Sequence, residues 1–192
     1  PQPIFWNTPG LELVVPSCAY DAKGLIRTAI KSDNPTVIFT HGLLYGTEDE
    51  VPDEDYEIPF GVAAIKRGGA DVTLVATSLT VSVALEAAEK LAADGIDVEV
   101  IDPRTLVPLD KESILSSVAK TGRLVIADEA RLSCGVASEI SAIVAEEGFK
   151  HLRAPIVRAA RPDAPVSAAP EHEAAVKPTP DKIMDAVYKV LN

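Results

Sequence analysis

The sequence predicts an α/β fold in which a parallel sheet is covered by helices on both faces. From residue 70 onward, apolar strand patterns alternate with amphipathic helix patterns, which is typical of a parallel sheet. Residues 71–102 show this most clearly: a β-branched strand at 72–77, a helix with apolar residues at three- and four-residue steps, and a second strand at 97–101. Parallel strands joined in this way require a right-handed crossover, so this unit fixes the architecture around it.

A second strand–helix–strand unit is predicted at the start of the chain. Residues 11–15 and 36–40 have strand patterns, and residues 19–31 have a helix pattern. We expect Ser17 to cap this helix, because its hydroxyl can accept a hydrogen bond from an amide of the first turn. The buried face of the helix is expected to carry five apolar side chains: Ala22, Leu25, Ile26, Ala29 and Ile30.

An acidic stretch separates the two units. Residues 45–59 contain seven carboxylates and two prolines and show no apolar periodicity. This composition favours a linker, so we expect a domain boundary near it. Residues 60–66 predict a short strand or turn before Gly68 and Gly69.

The remaining elements continue the alternation towards the C-terminus. We expect Asp110 to cap the helix that begins beside it. The predicted elements are a constrained loop with two prolines (103–109), a helix (110–120), a strand (123–128), a loop (129–135), a helix (136–147), a strand (154–160), a loop rich in proline and alanine (161–180) and a closing amphipathic helix (181–191).

Charge and composition exclude several classes of partner. The chain has 192 residues and a formal net charge of −11, so its surface repels phosphate backbones and no nucleic acid partner is expected. The longest apolar runs are only a few residues, so no membrane span is expected. The first ten residues lack the features of a signal peptide. Cys18 and Cys134 stand far apart without metal-site spacing, which indicates a reducing compartment and no disulfide.

Motifs that carry chemistry by themselves are absent from the sequence. It has no GxGxxG, GxxxxGKS/T or GxSxG pattern, and Gly68-Gly69 precedes a strand instead of following one. His41 follows a strand, at the strand end where open α/β sheets place ligands; the alternative is a polar strand-end residue. We expect His151 to be solvated. We expect no metal at His172, because its neighbouring glutamates point to different sides of the chain.

Two further features lie near one predicted helix. Cys134 is at its N-terminus beside Arg131, and both features lower a thiol pKa. No base can be assigned to the thiol, so we interpret Cys134 as a small buried or half-buried residue. Asp128-Glu129 ends a strand at a position where sites occur; the alternative is capping and ion pairing with Arg131.

Six stretches together resemble the β subunit of the thiamine-diphosphate-dependent 2-oxo acid dehydrogenases of the pyruvate, branched-chain and acetoin types. Their order and spacing fit that family over nearly the whole chain. The stretches are PGLELVVPS (9–17), YDAKGLIRTAIKSDNP (20–35), LLYG (43–46), VPDEDYEIPFGVAAIKRGGADVTLVA (51–76), VALEAAEKLAADGIDVEVIDPRTLVPLD (83–110) and TGRLVIADEA (121–130).

The resemblance implies a division into domains. Residues 1–46 correspond to the end of a pyrimidine-binding α/β domain, residues 47–58 to the acidic linker, and residues 59–192 to a parallel-sheet domain like the C-terminal domain of transketolase. In that family the domain also builds the contact with a second β subunit. It further contacts the small basic subunit-binding domain of the acyltransferase core, and an acidic surface suits such a partner.

The resemblance also implies an activity and its cofactors. The family decarboxylates a 2-oxo acid and transfers the acyl group to a lipoyl group, using thiamine diphosphate and magnesium held largely by a separate α subunit. The family's activating glutamate and a channel histidine correspond to positions before Pro1. No residue here is therefore assigned to catalysis or cofactor binding, and this chain alone is expected to be inactive.

A potassium ion is the one ligand that the resemblance brings to this chain. Some members hold it in the turn after the first helix, largely through backbone oxygens. The matching positions are Ala29, Ile30, Ser32 and Asn34, and Ser32 replaces an aspartate found in those members. Carbonyl oxygens at a helix C-terminus suit a cation in any case.

Departures from the family pattern bear on the substrate. Thr40-His41-Gly42 replaces a more acidic sequence, residues 167–173 replace a more aromatic one, and residues 131–135 resemble the acetoin type more than the pyruvate type. We place pyruvate first as the substrate. The alternatives are an acetoin or branched-chain 2-oxo acid dehydrogenase, a split transketolase-type subunit, and a non-catalytic assembly module. The expected location is the cytoplasm of a bacterium, or the mitochondrial matrix if the source is eukaryotic.

Overall fold

The computed structural model describes residues 2–165 and 169–192. Short 3-10 turns at Gly42–Gly46 and Phe149–His151 accompany the regular elements. In chain order the helices and strands are α1 (Gln2–Trp6), β1 (Glu12–Val14), α2 (Ala19–Lys31), β2 (Thr36–Ile38), β3 (Ala64–Arg67), β4 (Val72–Ala76), α3 (Thr80–Ala93), β5 (Val98–Asp102), β6 (Thr105–Val107), α4 (Lys111–Thr121), β7 (Leu124–Arg131), α5 (Val136–Glu147), β8 (Val157–Arg161), α6 (Pro170–Val176) and α7 (Pro180–Leu191).

A five-stranded sheet in the order β3-β5-β4-β7-β8 forms the larger part of the fold. Four of its strands run parallel, and β3 pairs antiparallel with β5 at one edge. Alternate residues of the central strand β4 face opposite layers: Leu74 packs with α3 and α7, whereas Val75 packs with α4 and α5. The predicted parallel sheet with helices on both faces is confirmed.

A smaller, three-stranded sheet in the order β2-β1-β6 joins the start of the chain to the rest. β1 pairs parallel with β2, as the predicted strand–helix–strand unit requires. The structure corrects the prediction that residues 103–109 form only a loop, because Thr105–Val107 pairs antiparallel with Leu13 and Val14. The partner strand β1 lies far away in the sequence, so no local pattern indicates this pairing.

The acidic stretch has neither helix nor strand beyond residue 46, as expected of a linker, but it is packed against α2. Ile58 is buried against Val14 and Leu25. The Tyr56 ring stacks on Tyr20 with centroids 4.6 Å apart, and its hydroxyl donates to the Tyr20 carbonyl. The stretch is therefore a strap held along one helix. The domain boundary near it stays a prediction.

The ends and the exposed face of α2 differ from expectation. Cys18 occupies the N-cap position without a side-chain cap, and the Ser17 hydroxyl instead bonds to Asp102. Ile26 and Ile30 are 40% and 78% exposed, although we predicted them to be buried. Only one side of α2 faces the rest of the described chain, so its outer apolar residues have nothing to pack against.

The predicted loop at 161–180 also contains helix α6, which begins at Pro170 in the first turn, where proline is favoured. Ser167 and Ala168, part of the departure from the family pattern noted above, lie outside the described residues. Within residues 2–165 and 169–192, no helix is long and apolar enough to cross a membrane.

Gly69 and its neighbour offer a matched test of the edge packing between β3 and β5. A Cβ added at Gly69 would lie 2.6 Å from the carbonyl oxygen of Val98, whereas a Cβ at Gly68 meets nothing within 4 Å. We expect Gly69→Ala to lower the free energy of unfolding by about 1–3 kcal/mol, because backbone must move to relieve the overlap. Gly68→Ala is the control and should change it by less than about 0.5 kcal/mol. Urea denaturation measures both, and equal effects would contradict this packing.

Candidate functional site

A cleft lies at the carboxyl ends of the parallel strands, where open α/β sheets place ligands. Its volume is about 700 Å³, within the range of small-molecule sites. Side chains that follow four different strands converge on it: Thr40 and His41 after β2, Thr77 and Ser78 after β4, Asp128 and Glu129 in the last part of β7, and Arg161 at the end of β8.

His41 connects the two parts of the chain across this cleft. Its Nε2 lies 2.9 Å from Glu129 Oε2, and its Nδ1 accepts a hydrogen bond from the Leu43 amide at 3.2 Å. Since Nδ1 accepts, the proton of a neutral ring is assigned to Nε2, which donates to the glutamate. Glu129 pairs with His41 and not with Arg131, which was one alternative predicted for the acidic pair.

Asp128 is the buried member of that acidic pair, with 1% of its surface exposed. Burial raises the pKa of its carboxyl, although the backbone amides of Ala130, Ala137 and Val136 oppose the shift. Its Oδ2 atom has no hydrogen-bond partner among the described residues. A buried polar atom of this kind is rare in a folded protein.

Two residues of the cleft have left-handed backbone conformations that non-glycine residues seldom adopt. Ser78 has φ 50° and Cys134 has φ 54°. Strain of this kind persists where the surrounding structure holds it and is enriched at functional sites. Cys134 is exposed, which corrects the interpretation of a buried or half-buried residue. His151 and His172 are not among the residues that line the cleft.

The four positions predicted to bind potassium lie together at the C-terminal end of α2. The Ala29 carbonyl accepts from the Ser32 amide at 3.3 Å, and the Ser32 hydroxyl donates to Glu12 at 2.8 Å. The Asn34 side-chain amide also reaches Glu12, at 3.4 Å. Ser32 and Asn34 thus donate to the Glu12 carboxylate, while the carbonyl oxygens of the turn and this carboxylate are oxygen ligands of the kind that a hard cation prefers. The predicted set is Ala29, Ile30, Ser32 and Asn34, and the assignment stays a prediction.

A second polar cluster is buried between α2 and the larger sheet. Asp21 and Asp102 are both fully buried. Lys66 Nζ lies 2.5 Å from Asp21 Oδ2 and 3.8 Å from Asp102 Oδ2, and Arg104 Nη2 lies 2.7 Å from Asp21 Oδ1. Ser17 donates to Asp102 at 2.5 Å. The cluster therefore joins side chains of the N-terminal strand–helix–strand unit (residues 11–40) to side chains of β3 and β5.

The two carboxyls of this cluster are perturbed in opposite directions. Burial disfavours the charge of Asp21, but hydrogen bonds from Lys66 and Cys18 and the nearby positive charges of Lys66 and Arg104 hold its pKa below the ordinary value. Burial raises the pKa of Asp102 to about 6, against the hydrogen bonds from Ser17 and the Arg104 amide and the charge of Lys66. Asp21 is thus the ionised partner of the cations, whereas Asp102 keeps its proton at moderately acidic pH.

In residues 2–165 and 169–192, no three histidine, cysteine or acidic side chains are grouped to hold a metal. The sequence has no glycine-rich phosphate loop either.

The architecture is an open α/β sheet that is parallel except for one edge strand and has a cleft at its strand ends. Residues 61–183 match the family described as "Transketolase, C-terminal domain". The chain belongs to this family.

Curated relatives extend the similarity over nearly the whole chain. Acetoin:2,6-dichlorophenolindophenol oxidoreductase subunit beta of Bacillus subtilis is 47% identical over 188 residues, covering 98% of this chain and 55% of the relative. Pyruvate dehydrogenase E1 component subunit beta of Rickettsia felis is 44% identical over 184 residues, covering 96% of this chain and 56% of the relative. The chain thus spans about half the length of these relatives.

Among solved structures, a split gene transketolase described as an inactive beta4 tetramer has the same fold. Its TM-score is 0.83 at 26% sequence identity, and the match covers 98% of this chain and 60% of that chain. The resemblance to 2-oxo acid dehydrogenase β subunits and the transketolase C-terminal fold, both predicted from the sequence, are confirmed.

Removal of the Asp21 charge tests the buried cluster. We expect Asp21→Asn to lower the free energy of unfolding by about 2–4 kcal/mol, because Lys66 and Arg104 lose the carboxylate that compensates their burial. Glu57→Gln is the control, since its ion pair with Lys31 is exposed, and it should cost at most about 0.5 kcal/mol. Chemical denaturation near neutral pH measures both, and a cost for Asp21→Asn no greater than that of the control would refute the role assigned to the cluster.

The pKa of Asp102 predicts how stability varies with pH. The folded protein keeps this proton up to a pH of about 6, whereas an unfolded aspartate releases it near its ordinary value of 3.8. Between these values the folded state binds more protons, so this group makes stability fall as pH rises, by about 3 kcal/mol in all. The contribution of Asp21 has the opposite sign and lies below pH 3.8.

Asp102→Asn should remove that fall. Relative to the wild type, the variant is expected to gain stability steadily between about pH 4 and pH 6 and no further above that range. Urea denaturation at matched pH values measures the difference between the two proteins, which cancels groups that titrate alike in both. A pH-independent difference would show that Asp102 is already ionised at the acidic end.

Proposed function

We propose that this chain is part of the β subunit of a thiamine-diphosphate-dependent 2-oxo acid dehydrogenase. In such an enzyme it would work with an α subunit in oxidative decarboxylation and acyl transfer to a lipoyl group. The observation that carries the proposal is the similarity to β subunits over 96–98% of the chain. The similarity to a split transketolase supports the fold. The proposed chemistry rests on the β-subunit relatives.

In this proposal the chain contributes assembly and not the reacting groups. The outer face of α2 supports this role, because Ile26 and Ile30 are exposed apolar side chains one helical turn apart. Exposure of a hydrophobic stripe to water is unfavourable in free energy, and burial against a partner removes this unfavourable contribution. The α subunit and a second β subunit are the partners we propose.

Further parts of the proposal follow from the family resemblance. Thiamine diphosphate and magnesium would be held outside the described residues, and potassium would bind at the end of α2, at Ala29, Ile30, Ser32 and Asn34. The acyltransferase core would contact the C-terminal domain through its basic subunit-binding domain, for which the net charge of −11 is favourable. We place the complex in the bacterial cytoplasm, or in the mitochondrial matrix of a eukaryote.

For the substrate we propose pyruvate first and acetoin as the alternative, in which cleavage of a carbon–carbon bond without loss of CO2 would replace the decarboxylation. The relative named for acetoin is 47% identical and the relative named for pyruvate is 44% identical, and the 131–135 loop resembles the acetoin type. This loop lines the cleft through Arg131, Ser133, Cys134 and Gly135. Its departure from the pyruvate type therefore lies where a ligand or partner can bind. Both substrates deliver a two-carbon unit, whereas a branched-chain 2-oxo acid delivers a larger one.

Reconstitution of a full-length β subunit that contains this chain with its α subunit tests the proposed function. We expect turnover that requires thiamine diphosphate and both subunits, with acetoin and pyruvate accepted in preference to 2-oxoisovalerate and to sugar phosphates. Substrate-dependent reduction of an artificial electron acceptor measures it. Activity on sugar phosphates alone would favour the split transketolase reading, and no turnover with any substrate would favour an assembly module.

The assembly role has its own measurement. Ile30→Glu should abolish co-purification with the α or second β subunit without lowering the melting temperature, because Ile30 is 78% exposed in the chain itself. Phe149→Glu is the matched control, since Phe149 is 72% exposed in a turn far along the chain. If Ile30→Glu assembled as well as the control, α2 would not be a subunit contact.

A further inference from the structure

A groove open to solvent lies between helix α5 and the segment of chain that leads into β8. Its volume is about 770 Å³. Ala142 and Ala145 of α5 line one wall, and Leu152 and Ile156 of the segment before β8 line the other. Phe149, which lies between the two walls in the sequence, also lines the groove and is 72% exposed. The groove is therefore an apolar surface that no part of the described chain covers.

The charged side chains that line the groove are both positive. Among the described residues of its lining, Arg153 and Arg158 are the only charged ones, and no carboxylate is present. The chain as a whole has a formal net charge of −11. A groove lined by two arginines and no acidic side chain is thus a local exception on an acidic protein.

Neither of these exposed arginines is neutralised by a salt bridge. Arg158 Nη1 donates to two neutral acceptors, the Leu132 carbonyl at 2.6 Å and the Ser138 hydroxyl at 2.8 Å. These bonds hold the guanidinium beside the groove without an opposite charge. In residues 2–165 and 169–192, the arginines that do form ion pairs are Arg27, Arg67, Arg104 and Arg161.

The acidic side chains on the outer side of α5 follow the opposite edge of the groove. Glu139 and Glu146 are exposed and are not among the residues that line it. Because they are seven residues apart, both lie on one side of α5, next to the wall formed by its alanines. One long edge of the groove is therefore positive and the other is negative. This polarity gives a bound segment a preferred orientation.

The shape of the groove favours a helix over a small molecule. An open groove buries too little of a small molecule to bind it well, whereas an amphipathic helix can place its apolar face along such a groove. Ser138, Ala142 and Ala145 recur along α5 at steps of four and three residues. Their small side chains let a neighbouring helix approach closely.

The charges then define the chemistry of the partner. We propose that the groove binds an amphipathic helix of a partner protein, with carboxylates along the side of the helix that faces Arg153 and Arg158. Such a helix is opposite in charge to the basic docking domain proposed above for the acyltransferase core. This inference does not rest on the proposed function of the chain.

Two synthetic peptides test the sign of the charge. The first is an amphipathic helix of about 18 residues with a leucine stripe flanked by glutamates, and in the second a lysine replaces each glutamate. Fluorescence anisotropy measures the binding of each labelled peptide to the purified full-length protein in about 0.15 M salt. We expect a dissociation constant of roughly 1–100 µM for the acidic peptide and at least about tenfold weaker binding of the basic one. The net charge of the protein favours the basic peptide, so this order can arise only from a local site.

Variants locate the contact in the groove. Arg153→Glu reverses one exposed charge and should raise the dissociation constant of the acidic peptide about fivefold or more. Phe149→Glu should raise it about tenfold or more, because it places a charge on the apolar surface. Lys189→Glu is the matched control: it makes the same charge change at an exposed residue of α7, which packs on the opposite face of the sheet, and should change the constant less than about twofold.

The Phe149→Glu protein also separates this inference from the proposed function. It should still co-purify with the α and second β subunits, as described for it above, while it loses the acidic peptide. Melting temperatures of all three variants close to that of the wild type show that the folded state is intact.

Four results would overturn the proposal. They are absence of binding of the acidic peptide at about 1 mM, and binding of the basic peptide that is equal or tighter, which would assign the groove to a basic partner. Equal effects of Arg153→Glu and Lys189→Glu would place the peptide elsewhere. A dimer in sedimentation that Phe149→Glu dissociates would assign the groove to a second copy of this chain.

Discussion

The buried pairing of Asp21 and Asp102 with Lys66 and Arg104 is the constraint on which the arrangement of the chain depends. Carboxylates without exposed surface are tolerated only beside compensating cations and hydrogen-bond donors. Here the cations come from β3 and from the turn after β5, while Asp21 comes from α2. Because each of these charged side chains is costly to bury without its partner, the N-terminal strand–helix–strand unit and the larger sheet are held in one relative position. The β1–β6 pairing and the Ile58 contact add to that hold.

Much of the fold could be predicted from local sequence patterns, because periodicity reports burial directly. The helices Ala19–Lys31 and Val136–Glu147 have the bounds that the sequence indicated. Gly122 has a left-handed conformation at the end of α4, and Asp110 caps its start as predicted. Strand β6 was missed, because its hydrogen bonds go to a strand more than 90 residues earlier in the chain.

The candidate site was only partly visible in the sequence. His41 and Asp128-Glu129 could be singled out, because strand ends in a parallel sheet converge on one edge. Arg161, Lys66 and Arg104 carried no signal, since a charged residue in sequence is most often a solvated one. The exposed face of α2 could not be foreseen either, because amphipathicity shows that a surface is apolar without showing what covers it.

Strand β6 also has a consequence for how such a chain can be divided in evolution. It follows the acidic strap in the sequence, yet it completes a sheet whose other two strands precede the strap. A gene split or recombined within the strap would separate β1 from its antiparallel neighbour and leave two open sheet edges, which favour self-association. Exchange of the two halves between homologues should therefore succeed only where the β1 and β6 sequences have been inherited together.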